Sequence, residues 1–218
     1  MRKLALIHTV TSLVSVFKDL FSESKINVEI FNIVDESLLK DTIKQGAMSP
    51  MTARRIVNYM VSAEEAGAQA LMVTCSSVGE AVDMAKPFLN IPAFRVDQPM
   101  AERAVEQGKR IGVAATLKTT LNPTINLINK CATDKGKKIE VVPMLCEGAF
   151  EAVSEGDMDR HDNIVIDGLK RLMRDTDVIV LAQASMARVT EKYLKEETKI
   201  QIFSSPRLAV EHLADHWF

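Results

Sequence analysis

The sequence predicts an α/β protein built as two pseudosymmetric lobes, and three observations carry that prediction. Eight short apolar runs alternate with longer helical stretches, the runs fall into two matching sets of four, and each set leads into a helix-like segment with a proline near its start. Of 218 residues, 47% are hydrophobic and 26% charged, which supports a sizeable core and excludes disorder, collagen and mucin-like stalks.

Unbroken apolar runs mark strands covered on both faces, as in parallel sheets under helices. The first four are Leu4 to His8, Val28 to Val34, Ala70 to Thr74 and Ile91 to Val96. The second four are Ile111 to Ala115, Ile139 to Leu145, Val178 to Leu181 and Ile200 to Phe203. LALIHT pairs with IGVAAT, VEIFNIVDE with IEVVPMLCE, ALMVTCSS with VIVLAQAS, and IPAFRV with IQIFSS, at a spacing of roughly 110 residues. Four strands in register argue for duplication of a half-chain unit, and each half reads as a flavodoxin-like parallel four-stranded sheet with helices on both faces.

Pro99 opens the helix-like MAERAVEQ and Pro206 opens RLAVEHLADHWF; a first helical turn tolerates proline because its missing N–H has no partner there. The first helix leads into the second repeat and the last folds back over the first. The expected lobes are therefore 1–97, completed by a helix at 207–218, and 98–206. Ligands of such sheets bind beyond the carboxyl ends of the strands. Two facing lobes would thus place His8 to Ser12, Thr74 to Gly79, Ala115 to Thr120 and Ala182 to Ala187 around an active-site cleft between them.

With 27 basic and 29 acidic residues the net charge is -2, so no global field draws the chain to nucleic acid or an anionic membrane. The lysines between Lys130 and Lys138 read as a solvated turn, not a binding patch. Cys75, Cys131 and Cys146 form no CxxC pair, so neither a disulfide framework nor a metal site is indicated, and a reducing cytoplasm fits. The opening MRKLALIHTVTSLVSVF resembles a signal peptide only until His8, Thr9, Thr11, Ser12 and Ser15 interrupt it; it reads as strand then helix. No run of about 18 apolar residues suggests a membrane span. Without GxGxxG or GxxxxGK[ST], a nucleotide-binding reading is discounted.

Cys75 ends an apolar strand and is followed by Ser76 and Ser77, with Glu80 at capping-box spacing from Ser77, so a helix is expected to start there. Its N-terminal dipole would favour thiolate, against the alternative of an inert core thiol. The repeat sets Gln183 opposite Cys75 and Ser185 opposite Ser77. A glutamine amide only offers hydrogen bonds, so one lobe alone supplies an evident base. Thr9, Thr11 and Ser12 in the first lobe, and Thr116, Thr119 and Thr120 in the second, are hydroxyls suited to a carboxylate, with plain N-capping as the alternative. His8 is a candidate proton carrier or partner of Cys75, a structural hydrogen bond being the alternative. His161, in EGDMDRHDN, reads as a solvated loop; His212 and His216 read as structural, and Cys131 as a core or surface thiol. Cys146, at a strand end beside Glu147 and Gly148, is a lesser candidate for approaching the cleft.

With VTCSS, IGVAATLKTT and VIVLAQASM in place, the sequence resembles, over essentially its whole length, the aspartate/glutamate (hydantoin) racemase superfamily. That superfamily also holds maleate isomerases and arylmalonate decarboxylases. The resemblance implies a cofactor-independent enzyme acting at the carbon next to a carboxylate of a small acid or amino acid, commonly as a homodimer. It makes Cys75 the first-lobe catalytic cysteine, Ser76 and Ser77 its carboxylate-binding neighbours, Thr116 and Thr119 second-lobe anion contacts, and Ser185 the hydroxyl of the second loop. Gln183 stands where the second cysteine is usual and Ala182 where glycine is, which sets ordinary two-thiol racemisation against single-cysteine decarboxylation or cis-trans isomerisation. A carboxylate-binding protein without catalysis is the alternative from another class.

Overall fold

The computed structural model describes residues 1–190, 193 and 200–217. The first half holds β1 (Arg2–His8), α1 (Ser12–Ser24), β2 (Val28–Val34), α2 (Ser37–Gln45), α3 (Pro50–Glu65), β3 (Ala70–Val73), α4 (Glu80–Ala85) and β4 (Ala93–Arg95). It continues through α5 (Gln98–Gln107), β5 (Arg110–Ala115), α6 (Lys118–Asp134), β6 (Glu140–Leu145), α7 (Ala149–Ser154), α8 (Met158–Leu172) and β7 (Val178–Leu181). The single turn α9 (Ala187–Val189), β8 (Gln201–Ser204) and α10 (Ser205–His216) follow.

Contacts divide the chain into two compact units, Met1–Gln98 with Pro206–Phe218, and Pro99–Ser205. The sheets have the same strand order, β2-β1-β3-β4 and β6-β5-β7-β8, and every pairing is parallel. The duplication extends to single hydrogen bonds. Thr74 N–H donates to the Ile7 carbonyl at 3.0 Å, and Ala182 N–H to that of Ala114 at 2.9 Å. Likewise Asp35 N–H donates to His8 at 3.0 Å, and Cys146 N–H to Ala115 at 2.8 Å.

Alternation along β1 explains why the run LALI is apolar throughout. Leu4 and Leu6 pack with Phe17 and Phe21 of α1 and with Ala209, Val210 and Leu213 of α10, so the last helix covers the first sheet. Ala5 and Ile7 point the other way, into Leu38, Ile56 and Met60 of α2 and α3. Each fully buried side chain of this size contributes about 1.5–3 kcal/mol, so both helical layers are held through one strand. In the second unit Val165 and Leu169 of α8 pack with Ile179 and Leu181 of β7.

Helix starts follow their caps. At α3 the Ser49 hydroxyl accepts from Thr52 N–H at 3.1 Å, with Pro50 in the first turn. At α8 the Asp157 carboxylate accepts from Arg160 N–H at 3.0 Å. This cap corrects the solvated-loop expectation for His161: the polar stretch is the first turn of an amphipathic helix, with Asp159 and Arg160 outward and His161 fully buried. His161 Nδ1 lies 2.9 Å from Asp162 Oδ1, which also pairs with Arg188. Of the expected closing helix 207–218, Phe218 lies outside the described residues. No helix among the described residues is long and apolar enough to cross a membrane.

Candidate active site

In the first unit β1 and β3 are neighbours, with Ile7 opposite Val73, so the residues just beyond them share the carboxyl edge of the sheet. Cys75 is extended (φ -127°, ψ 116°), and a 3₁₀ turn, Ser76–Val78, carries the chain into α4 with Gly79 as its cap. The helix expected after Ser77 is thus a tight turn followed by a short α-helix whose N-cap is Gly79, with no side-chain cap, so the expected capping box does not form.

The balance of influences on Cys75 runs against the thiolate expected from its position. Burial pushes the Cys75 thiol up, and this outweighs the pull of the Thr9 hydroxyl, the Ser77 N–H and hydroxyl, and the Val78 N–H, all of which favour the anion. Thr9 stops short of a formed hydrogen bond, for its Oγ1 is buried without a partner of good geometry. Cys75, half-buried, thus favours the thiol while lying inside a ring of donors that would receive the charge of the anion.

His8 is fully buried, with Nδ1 2.8 Å from Thr74 Oγ1 and Nε2 2.9 Å from Asn32 Oδ1. Desolvation lowers its pKa, partly offset by the Asn32 contact, so the neutral ring is favoured. The Thr74 hydroxyl also lies 3.1 Å from the Ile7 carbonyl. Asn32 Oδ1 accepts from Nε2–H, and the unprotonated Nδ1 of the neutral ring faces the Thr74 hydroxyl. Both nitrogens are occupied, which is the structural alternative to proton carriage, and the ring steadies the residue before Cys75.

The second unit builds the same turn around a different side chain. Gln183 is extended (φ -133°, ψ 138°) and a 3₁₀ turn, Ala184–Met186, follows. Its Oε1 accepts from Thr116 N–H at 2.5 Å, while its Nε2 lies 2.8 Å from Thr116 Oγ1. Thr119 sits in the first turn of α6 with Oγ1 buried and unpartnered. Ser76, Ser77, Thr116 and Thr119 are all buried, whereas Ser185 is exposed.

Cys146 does not approach the sheet edge as a reactive group. It lies in the core with Ala114, Val165 and Leu181, and burial pushes its pKa to about 11. Cys131 is buried on α6. No cluster of metal-ligating side chains occurs among the described residues. Asn32 escaped sequence reasoning, and Thr74 was expected only as the start of a cleft loop, not as a partner of His8; the available signal was a polar residue inside or closing an apolar strand.

Solved structures share this architecture at low identity. A glutamate racemase isoform from Bacillus anthracis superposes with TM-score 0.76 at 21% identity, over 98% of this chain and 80% of its own. The glutamate racemase of Aquifex pyrophilus gives 0.70 at 19% identity, over 98% and 83% respectively. Allantoin racemase from Klebsiella pneumoniae gives 0.66 at 15% identity, over 99% and 87%. These likenesses are of fold; among curated proteins no sequence match is found. The sequence profile of the Asp/Glu/hydantoin racemase family, in contrast, matches residues 8–213, from the histidine ending β1 to the last core leucine of α10. With that match over nearly the whole chain, and the duplicated sheets beneath it, the chain belongs to the Asp/Glu/hydantoin racemase family and is an isomerase of the racemase type.

Proposed function

We propose that the enzyme acts without a cofactor at the carbon next to the carboxylate of a small acid or amino acid, with Cys75 as its acid-base or nucleophilic group. The observation that carries this reading is the ring of donors around one sulfur: Thr9, Ser77 and Val78 favour the thiolate in a setting that otherwise disfavours it. A thiol with a raised pKa is a stronger base once ionised, and so better matched to a weakly acidic carbon-bound proton. Thr9, Ser76 and Ser77 in one unit and Thr116, Thr119 and Ser185 in the other are the proposed carboxylate contacts. The unpartnered hydroxyls of Thr9 and Thr119 support that part of the reading, because a buried polar atom without a partner is costly unless a ligand supplies one. Gln183 contributes hydrogen bonds and no proton.

A second reading draws on the upward shift of the Cys75 thiol. A neutral thiol is the form that delivers a proton to a carbanion, so a single-cysteine decarboxylase would leave one proton on one face of the product. Incubation of the wild-type enzyme with amino and dicarboxylic acids in deuterated water separates the cases by NMR. Exchange of an α-proton supports isomerase chemistry at that carbon; loss of carbon dioxide with uptake of one deuteron supports the lyase. Neither across the panel sinks both, and thermal stabilisation by a carboxylate alone then favours a binding protein. Family resemblance supports a cytoplasmic homodimer, which sedimentation of the purified protein checks for oligomeric state.

A further inference from the structure

The Cys75 turn rests on a buried ion pair. Arg95, the last residue of β4, sends Nε to Asp97 Oδ1 and Nη2 to Asp97 Oδ2, both at 3.0 Å, in a two-bonded fork. Its Nη1 lies 3.5 Å from Asp83 on α4. The Arg95 side chain is 4% exposed and that of Asp97 0%, so the pair is cut off from water. β4 is hydrogen-bonded beside β3, with Arg95 opposite Val73 and Val96 N–H donating to the Val73 carbonyl at 3.1 Å.

Above the guanidinium lies Gly79, which closes the turn through its N–H to Ser76 at 3.2 Å. A Cβ built on Gly79 would come within 2.9 Å of both Nε and Nη2 of Arg95 and 3.0 Å of Cζ, closer than carbon tolerates. The contact involves three atoms of one planar group, itself fixed by Asp97, so the arginine has no free end with which to yield. Glycine is needed here for the approach of a guanidinium and not for its backbone angles, which are ordinary helical values (φ -60°, ψ -30°).

We propose that Arg95 is a positioning residue for Cys75: its guanidinium, locked by Asp97 beneath Gly79, sets the height of the 76–79 turn and thereby which N–H groups meet the sulfur. A buried arginine–carboxylate pair adds little net stability compared with apolar side chains of similar size. Its effect here is placement. This inference rests on the reading of Cys75 as the reacting group, but its test addresses the thiol directly and needs no substrate.

The test is the pH–rate profile of Cys75 alkylation by iodoacetamide in the full-length protein, followed peptide by peptide by mass spectrometry. Gly79→Ala drives the turn off the guanidinium and opens the half-buried sulfur further to water, so the expected result is an alkylation rate at neutral pH at least about threefold above wild type with an earlier pH midpoint. In an Arg95→Met/Asp97→Leu background, which leaves no unpaired charge, the same glycine substitution should add less than about threefold, because its Cβ no longer meets a fixed group. Cys131, buried in the other unit, is the internal reference. A change below threefold in Gly79→Ala, an equal change in both backgrounds, or a parallel rise at Cys131 overturns the proposal. Absence of turnover on every acid tried would count against the proposed function and leave this readout intact.

Discussion

The turns after β3 and β7 have nearly the same backbone, a residue at φ near -130° followed by three residues of 3₁₀ helix, yet they hold opposite kinds of side chain. In the first unit the short cysteine lies among donors from its own turn and from Thr9. In the second the longer glutamine bends back and takes both polar groups of Thr116, the repeat counterpart of Thr9. Duplication preserved the cradle and its threonine; substitution decided whether the pair leaves a hydroxyl available or consumes it. Chemical asymmetry within a symmetric frame therefore resides in side-chain length and titratability.

The comparison breaks most visibly in activity. Cys75→Ser should lower α-proton exchange or decarboxylation by about a hundred- to ten-thousandfold, the range of a lost acid-base group, while Gln183→Ala should cost clearly less. Equal losses in steady-state assays would mean that both turns do the same work.

The second unit's own strand-end sulfur gives the next effect. Folded Cys146 holds its proton up to about pH 11, against an ordinary value of 9.0. Between those values the native chain binds more protons than the unfolded one, so stability falls as pH rises. The loss reaches up to about 3 kcal/mol and is absent below the unfolded pKa. Cys146→Val should flatten that alkaline slope in urea melts at about pH 8 and about pH 10.5.

The threonines then separate the two turns. Thr116→Val leaves the Gln183 amide without its acceptor and should destabilise by about 1–2 kcal/mol. Thr9→Val removes a hydroxyl that has no formed bond, so its stability should stay within about 0.5 kcal/mol of wild type or rise. Because Thr9 draws the Cys75 pKa down, its loss should move the alkylation midpoint to higher pH. Equal stability costs at the two positions would erase the distinction between an occupied and an unoccupied hydroxyl.

Much of the architecture was legible because it rests on periodicity. Uninterrupted apolar runs mark strands buried on both faces, and their recurrence predicts two sheets of one topology, as LALIHT and IGVAAT illustrate in β1 and β5. The place of Cys75 was legible for the same reason, since the strand ends where the apolar run does. Its protonation was not: sequence shows a helix start, whereas the balance between donors and desolvation depends on packing around the sulfur. His161 failed for a related reason. Its buried surroundings include Asp162 and Arg188, the latter 26 residues beyond Asp162, and no local pattern announces that partnership. Arg95 appears in sequence only as a lone cation in IPAFRV, its purpose visible once Gly79 lies above it.

If Thr116 is the carboxylate contact proposed above, the Gln183 clamp also filters what it can accept. A newcomer seeking the Thr116 N–H must displace an amide oxygen already seated at 2.5 Å. A neutral carbonyl gains nothing from that exchange, whereas an anion forms the stronger, charge-assisted bond and releases an amide still able to solvate it. On that proposal, selection for charge is set by the competitor that every visitor has to evict.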